Sequence, residues 1–287
     1  MKELGFFNLT NYLSQECLDF YNENGYFILR DFLDKEKDLY PIQKYINYLI
    51  KSQLNELGEE STSLDDSKID IEGFLKLCKI DRSKGGKIYD ACRHLYPLQK
   101  ISLKDEFINL AKFLMKTDYV NVIPYTPIRI DLKGEEKYLF PWHQDYPYIQ
   151  GSEDGIVLWF PFHDVLKGSG ALEVIPKSHR NGIQKVYLKD PDNKNKNGAR
   201  TVDIAHEEKF DAMEKVTAEI LYGDILVFST LLIHKSTVIE TANSKWATQI
   251  RYANFSDKRA IKRGWPKGML EGNHFEYDHS EYIENLN

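Results

Sequence analysis

From about Asn121 onward the chain breaks into short apolar runs, 121–132, 155–163, 170–175, 217–221, 224–229, 231–234 and 246–253, each bounded by Gly, Pro, Asp or Asn. Short strands with turn signals between them point to a β-sandwich or barrel rather than to βαβ units. The residues before this point read differently. Over 11–23, Tyr12, Leu13, Cys17, Phe20 and Tyr21 recur at helical spacing, and Asn24-Gly25 supplies a stop. Tyr26-Phe27-Ile28-Leu29 suits a strand, and 35–58 and 103–116 again show helical periodicity. The polar stretch 57–68 is expected as an exposed loop, and the charged, Pro- and Gly-containing 189–199 as a mobile one. No internal repeat or long linker interrupts the chain. The expected organisation is therefore one domain over 1–287: a mostly helical flank with a first strand (1–120), a β-sandwich core (121–256) and a C-terminal extension (257–287).

Composition narrows the class. With 42% hydrophobic and 29% charged residues, the chain has the material for a large core under a charged surface. Its 18 Tyr and 15 Phe favour a strand-rich fold with an aromatic-lined interior. A net charge of −6 argues against nonspecific nucleic-acid binding. The three cysteines, Cys17, Cys78 and Cys92, form no CxxC pair, so a disulfide framework is not expected and a reducing compartment is. No stretch has the ~18–20 apolar residues of a membrane span, and the N-terminus lacks a signal-like apolar region. The expectation is a cytoplasmic protein acting on a small molecule, without nucleic-acid or membrane partners; oligomeric state is left open.

The chemistry concentrates in Pro141-Trp142-His143-Gln144-Asp145. In an extended backbone, residues two apart share a face, so His143 and Asp145 can address one metal ion. A second imidazole would complete a two-histidine, one-carboxylate face with coordination positions left open, a set suited to non-haem iron. His234 is placed for this, ending an apolar stretch that starts at the Gly223-Asp224 turn. Two similar triplets, His206-Glu207-Glu208 and His274-Phe275-Glu276, lie in charged surroundings and are read as surface residues. His163-Asp164 is adjacent rather than two apart, so its side chains diverge. The basic run Lys258, Arg259, Lys262, Arg263 and Lys267 is read as a solvated face.

Taken in order, these motifs resemble the phytanoyl-CoA dioxygenase-like family of Fe(II)/2-oxoglutarate-dependent oxygenases. Residues 20–33 look like the family's opening helix, glycine and strand, and Trp142-His143-Gln144-Asp145 like its metal triplet. Gly170-Ala171-Leu172-Glu173-Val174-Ile175-Pro176-Lys177-Ser178-His179 is similar to its "G-x-L-x-x-x-P-x-S-H" signature, in which His179 is read as structural. Gly223-Asp224 to His234-Lys235-Ser236 matches the segment carrying the second histidine.

The resemblance implies a double-stranded β-helix (jelly-roll, cupin-like) core of mainly β with α, under an N-terminal helical layer. It implies Fe(II) on His143, Asp145 and His234, 2-oxoglutarate as cosubstrate, and O2. Where the family has an arginine for the distal carboxylate of 2-oxoglutarate, this chain has Lys245, a point charge rather than a fork. Arg251, on the same face of a regular strand, is the second candidate. Ser236 is expected to donate to that carboxylate, and Gln144 and Trp159 to line the pocket. Halogenating relatives lack the carboxylate ligand, so Asp145 points to hydroxylation. Two other readings stand beside this one: a catalytically silent binding protein, and a metal-dependent isomerase or hydrolase on the same fold.

Overall fold

The strand sequences alternate between two destinations, and that alternation builds the fold. In the computed structural model, which describes residues 5–61, 65–123, 126–188, 202–265 and 275–284, the strands are β1 (Phe6–Phe7), β2 (Tyr26–Leu29), β3 (Val120–Val122), β4 (Ile128–Leu132), β5 (Ile156–Pro161), β6 (Leu172–Val174), β7 (Val186–Leu188), β8 (Val202–Ile204), β9 (Val216–Ala218), β10 (Ile225–Ser229), β11 (His234–Lys235) and β12 (Ser244–Asn254). A large sheet runs β1-β2-β10-β5-β12-β3, with β4 also on β12; a small sheet runs β11-β6-β9. One face of the large sheet, carrying Phe27, Leu29, Leu158, Phe160, Val227, Trp246 and Ile250, packs into the helical core. Its other face, carrying Tyr26, Ile28, Val157, Trp159, Leu226 and Phe228, meets Leu172, Val174 and Ala218 of the small sheet. Strands buried on both faces read as continuous apolar runs, which is why β2, β5 and β10 stood out in the sequence. The two sheets face to face form the double-stranded β-helix.

The helical layer comprises α1 (Gln15–Asn24), α2 (Tyr40–Asn55), α3 (Ile71–Ile80), α4 (Arg82–Cys92), α5 (Tyr96–Ile101) and α6 (Asp105–Met115). α1 starts where the Ser14 side chain accepts from the Cys17 amide, and stops at Gly25, whose φ of 81° suits glycine. The expected helix over 35–58 divides: a π-helical turn over Lys35–Leu39, capped by Asp34, leads into α2, with Pro41 in its first turn where a missing N–H costs nothing. The single run 121–132 likewise becomes β3 and β4, which pair with successive parts of β12. Ring contacts tie the layers together, as where Phe74 of α3 meets Trp246 of β12 edge-on at 4.8 Å. Loop 189–199 and His274 lie outside the described residues. Among the described residues no helix is long and apolar enough to cross a membrane.

Two distant motifs meet at Gly25. A Cβ placed there would stand 2.3 Å from Nδ1 of His179, and the His179 Nε2 lies 3.2 Å from the Asn22 carbonyl. The ring of His179 therefore seats the turn after β6 against the end of α1. Gly25→Ala combines an unfavourable φ with this clash and is expected to lower unfolding free energy by about 1–3 kcal/mol. Urea denaturation checks this; an unchanged midpoint would contradict the packing described.

Candidate metal centre

His143 and His234 are brought together by the backbone. The His143 amide donates to the His234 carbonyl at 2.9 Å, and the His234 amide returns the bond to His143 at 3.0 Å. This isolated bridge sets the two residues opposite one another, with ring centroids 4.1 Å apart. The sequence suggested that an apolar strand ends at His234. Instead β10 stops at Ser229, residues 229–232 turn, and His234 opens β11 of the small sheet. Asp145 also departs from the extended backbone expected of it. Its φ of −70° and ψ of −31° begin the short helix α7 (Tyr146–Ile149), whose first amide donates to the Thr230 carbonyl at 3.0 Å. The chain thus turns just after His143, and the turn swings the carboxylate toward both imidazoles.

All three side chains are buried, and their ligand atoms lie within 4.8 Å of one another. Each imidazole places Nδ1 on a carbonyl two residues back: Pro141 at 2.8 Å for His143, Leu232 at 3.0 Å for His234. A carbonyl only accepts, so Nδ1 carries the proton and Nε2 keeps its lone pair free. Those two Nε2 atoms stand 3.6 and 3.7 Å from Asp145 Oδ1. That is beyond hydrogen-bonding range and suits donors each roughly 2 Å from a shared cation. The other oxygen, Oδ2, accepts from Arg251 Nε at 2.8 Å.

Electrostatics agree with a cation site. Burial works against the Asp145 charge, but the Arg251 guanidinium beside it outweighs this and holds the carboxyl well below the usual carboxylate range. Burial, reinforced by His143, brings His234 down to about 3, so its ring is neutral at physiological pH, as a ligand must be. Arg251 Nη1 is buried without a hydrogen-bond partner, leaving an unused donor beside the carboxylate. Two imidazoles, one monodentate carboxylate and a vacant donor next to them fit a divalent metal with a further anionic ligand.

One side of this triad opens on a cavity. Trp159, Ser236, Lys245 and Arg251 all line it. Gln144 is placed otherwise. Its Nε2 donates to the Gly182 and Leu231 carbonyls at 2.9 and 2.7 Å, and its Oε1 accepts from the Gln184 amide, so the amide braces loops instead of facing the cavity. Lys245 and Arg251 are not both free cations: Arg251 holds Asp145, and Lys245 Nζ lies 2.8 Å from Asp131 Oδ2.

Several lining residues escaped the sequence reading: Tyr89 from α4, Arg129 from β4, and Phe140, Tyr148 and Gln249. A signal existed in Ile128-Arg129-Ile130-Asp131-Leu132, where charges alternate with aliphatics. Ile128 and Leu132 go to the helical core, so the charged face points inward. Elsewhere, His163 accepts from the Trp246 amide and His206 is a surface residue, while Arg259 and Arg263 of the basic run reach Glu153 and the Tyr146 hydroxyl.

Against this geometry, comparison with known proteins is decisive: the chain matches the phytanoyl-CoA dioxygenase family over residues 21–247. It belongs to that family. Among characterised relatives, 1-deoxypentalenic acid 11-beta-hydroxylase of Streptomyces arenae is 24% identical over 264 residues, covering 90% of this chain and 88% of the relative. Among solved structures, EctD from S. alaskensis with bound Fe superposes with a TM-score of 0.54 at 14% identity, covering 93% of this chain and 84% of the other. The non-heme alpha ketoglutarate dependent carbocyclase SnoK superposes with a TM-score of 0.53 at 14% identity, covering 90% and 94%. At such identities these structures share the fold with this family member.

Because Arg251 fixes Asp145 Oδ2, replacing it should loosen the ligand set. Arg251→Met is expected to weaken Mn(II) binding about ten- to a hundred-fold, as loss of an outer partner of a ligand does. Calorimetric titration of Mn(II) into the metal-free protein measures this, and wild-type affinity in the variant would refute the role.

Proposed function

We propose that this chain is a non-haem Fe(II)/2-oxoglutarate-dependent dioxygenase that hydroxylates a small, polar metabolite and releases succinate and CO2. The observation that carries the proposal is the set of three converging donor atoms on His143, Asp145 and His234, open on one side to a cavity that Arg129, Lys245 and Arg251 also line. Membership of the phytanoyl-CoA dioxygenase family and a relative named as a hydroxylase support the same chemistry. The core that runs unbroken from the helices into the large sheet supports treating the chain as one catalytic unit.

Bound iron would supply O2 activation and substrate oxidation, coupled to decarboxylation of the oxoacid. The residues do the rest. His143 and His234 present Nε2 while the Pro141 and Leu232 carbonyls hold the rings in orientation. Asp145 offers one oxygen, since Arg251 occupies the other. Trp159 and Leu172 form an apolar wall that limits water beside the metal. Lys245 and Ser236 both line the cavity, which supports their pairing with a cosubstrate carboxylate. Gln249 adds a side-chain amide to the cavity lining, which supports a polar substrate.

Anaerobically purified protein given Fe(II), 2-oxoglutarate and then O2 is expected to form succinate even without its substrate. His143→Ala and His234→Ala should each abolish this turnover while circular dichroism stays that of the wild type. Turnover surviving in either variant would place the ligands elsewhere. Absence of succinate from the wild type would favour a silent binding protein, and product formation without O2 an isomerase or hydrolase.

A further inference from the structure

We propose that Arg129 is a second anchor for the distal carboxylate of the oxoacid, and that Asp131 adjusts this anchor to accept a single negative charge. The proposal rests on the oxoglutarate reading of the same cavity. It begins with the register of two strands. β4 and β12 are antiparallel, with Asp131 directly opposite Lys245 and Arg129 opposite Ala247. Side chains two apart share a face, so Arg129, Asp131 and Lys245 all project to the interior side of the sheet.

The three charges are joined through one carboxylate. Lys245 Nζ lies 2.8 Å from Asp131 Oδ2, and Arg129 Nη2 lies 2.9 Å from Asp131 Oδ1. Lys245 has 1% of its side chain exposed, Asp131 3% and Arg129 19%. Burial opposes the Asp131 charge, but the two cations outweigh it and keep the carboxyl below its usual range. Two cations and one anion leave a net charge of one positive in a largely dry wall. Buried charge is costly unless matched, so the wall is complementary to one further carboxylate.

The donor count says which residue supplies most of the grip. Lys245 Nζ has three N–H groups, and it gives one to Asp131 and one to the Gly170 carbonyl at 3.0 Å. Gly170 is itself required by this path: a Cβ there would meet the Lys245 Cδ at 3.2 Å, at a φ of 90°. One donor remains on Lys245. Arg129 Nη2 is spent on Asp131 and on the Tyr138 carbonyl at 2.6 Å, while its guanidinium lies 4.8 Å from the Phe140 ring centroid. Its Nη1 has no protein acceptor among the described residues, which leaves two N–H groups on a rigid plane that lines the cavity. The planar guanidinium that the family supplies from one strand is thus available here from the neighbouring strand.

The test is calorimetric titration of the full-length, Mn(II)-loaded protein without O2, using 2-oxoglutarate and 2-oxobutyrate. Both oxoacids share the chelating end, and only the first has a distal carboxylate. Arg129→Gln is expected to weaken 2-oxoglutarate about ten- to a hundred-fold, the loss typical of a charge-assisted pair, and to leave 2-oxobutyrate unchanged. Arg129→Lys should recover part of the loss. Asp131→Asn, which raises the net charge of the wall, should tighten 2-oxoglutarate binding. Wild-type 2-oxoglutarate affinity in Arg129→Gln overturns the proposal, as does an equal loss for both oxoacids. A wild-type protein that binds 2-oxobutyrate as well as 2-oxoglutarate overturns it too. A wild-type protein that binds Mn(II) but neither oxoacid instead refutes the oxoglutarate reading itself.

Discussion

Two amide hydrogen bonds between His143 and His234 carry the architecture of the centre. They join a segment that follows the large sheet's β4 to the first residue of the small sheet's β11, closing the space between the sheets at one end. Nothing about the imidazoles would matter without this bridge, because two histidines ninety-one positions apart acquire a common direction only through a shared backbone register. The bridge also explains the turn at Asp145. Once residue 143 is pinned, α7 must start immediately, and its first amide is satisfied by Thr230 from the same turn that delivers His234.

Charge around the cavity follows a consistent rule: each cation is given a carboxylate, and each carboxylate is shared. Asp145 meets Arg251 on one oxygen and faces both imidazoles with the other; Asp131 meets Lys245 and Arg129. Breaking either set would strand an uncompensated charge, a larger cost than the pair's own worth. Between the sheets these polar groups border an apolar cluster of Tyr26, Ile28, Val157, Leu226 and Phe228, which reaches the cavity through Trp159 and Leu172.

Much of the fold was legible because its strands are buried on both faces and stand out as apolar runs. The helical flank was legible for α1, where caps and periodicity agree, and for α6 from periodicity alone. Boundaries were less so near residue 230: apolar residues continue through Leu231-Leu232-Ile233, although the backbone there turns from one sheet to the other. Within the site, the ligand residue types could be read from local spacing. The roles of Lys245 and Arg251 could not, because they depend on which acid lies across the strand or across the cavity. The alternation that carries Arg129 and Asp131 was ambiguous for a related reason. A charged residue alternating with aliphatics ordinarily faces water, and only the helical layer over the opposite face reverses that. Gln144 shows the converse, since a polar side chain beside two ligands found three backbone groups to bond.

Strand β12 places Trp246, Ile250 and Tyr252 in the helical core and Lys245, Gln249 and Arg251 on the cavity. A single inserted or deleted residue would exchange these sets, driving guanidinium and ammonium groups into hydrocarbon and aromatic rings into the polar chamber. Diversification of this chamber along β12 is thus confined to one-for-one replacement at odd-numbered positions, while gaps in length are left to the connecting loops.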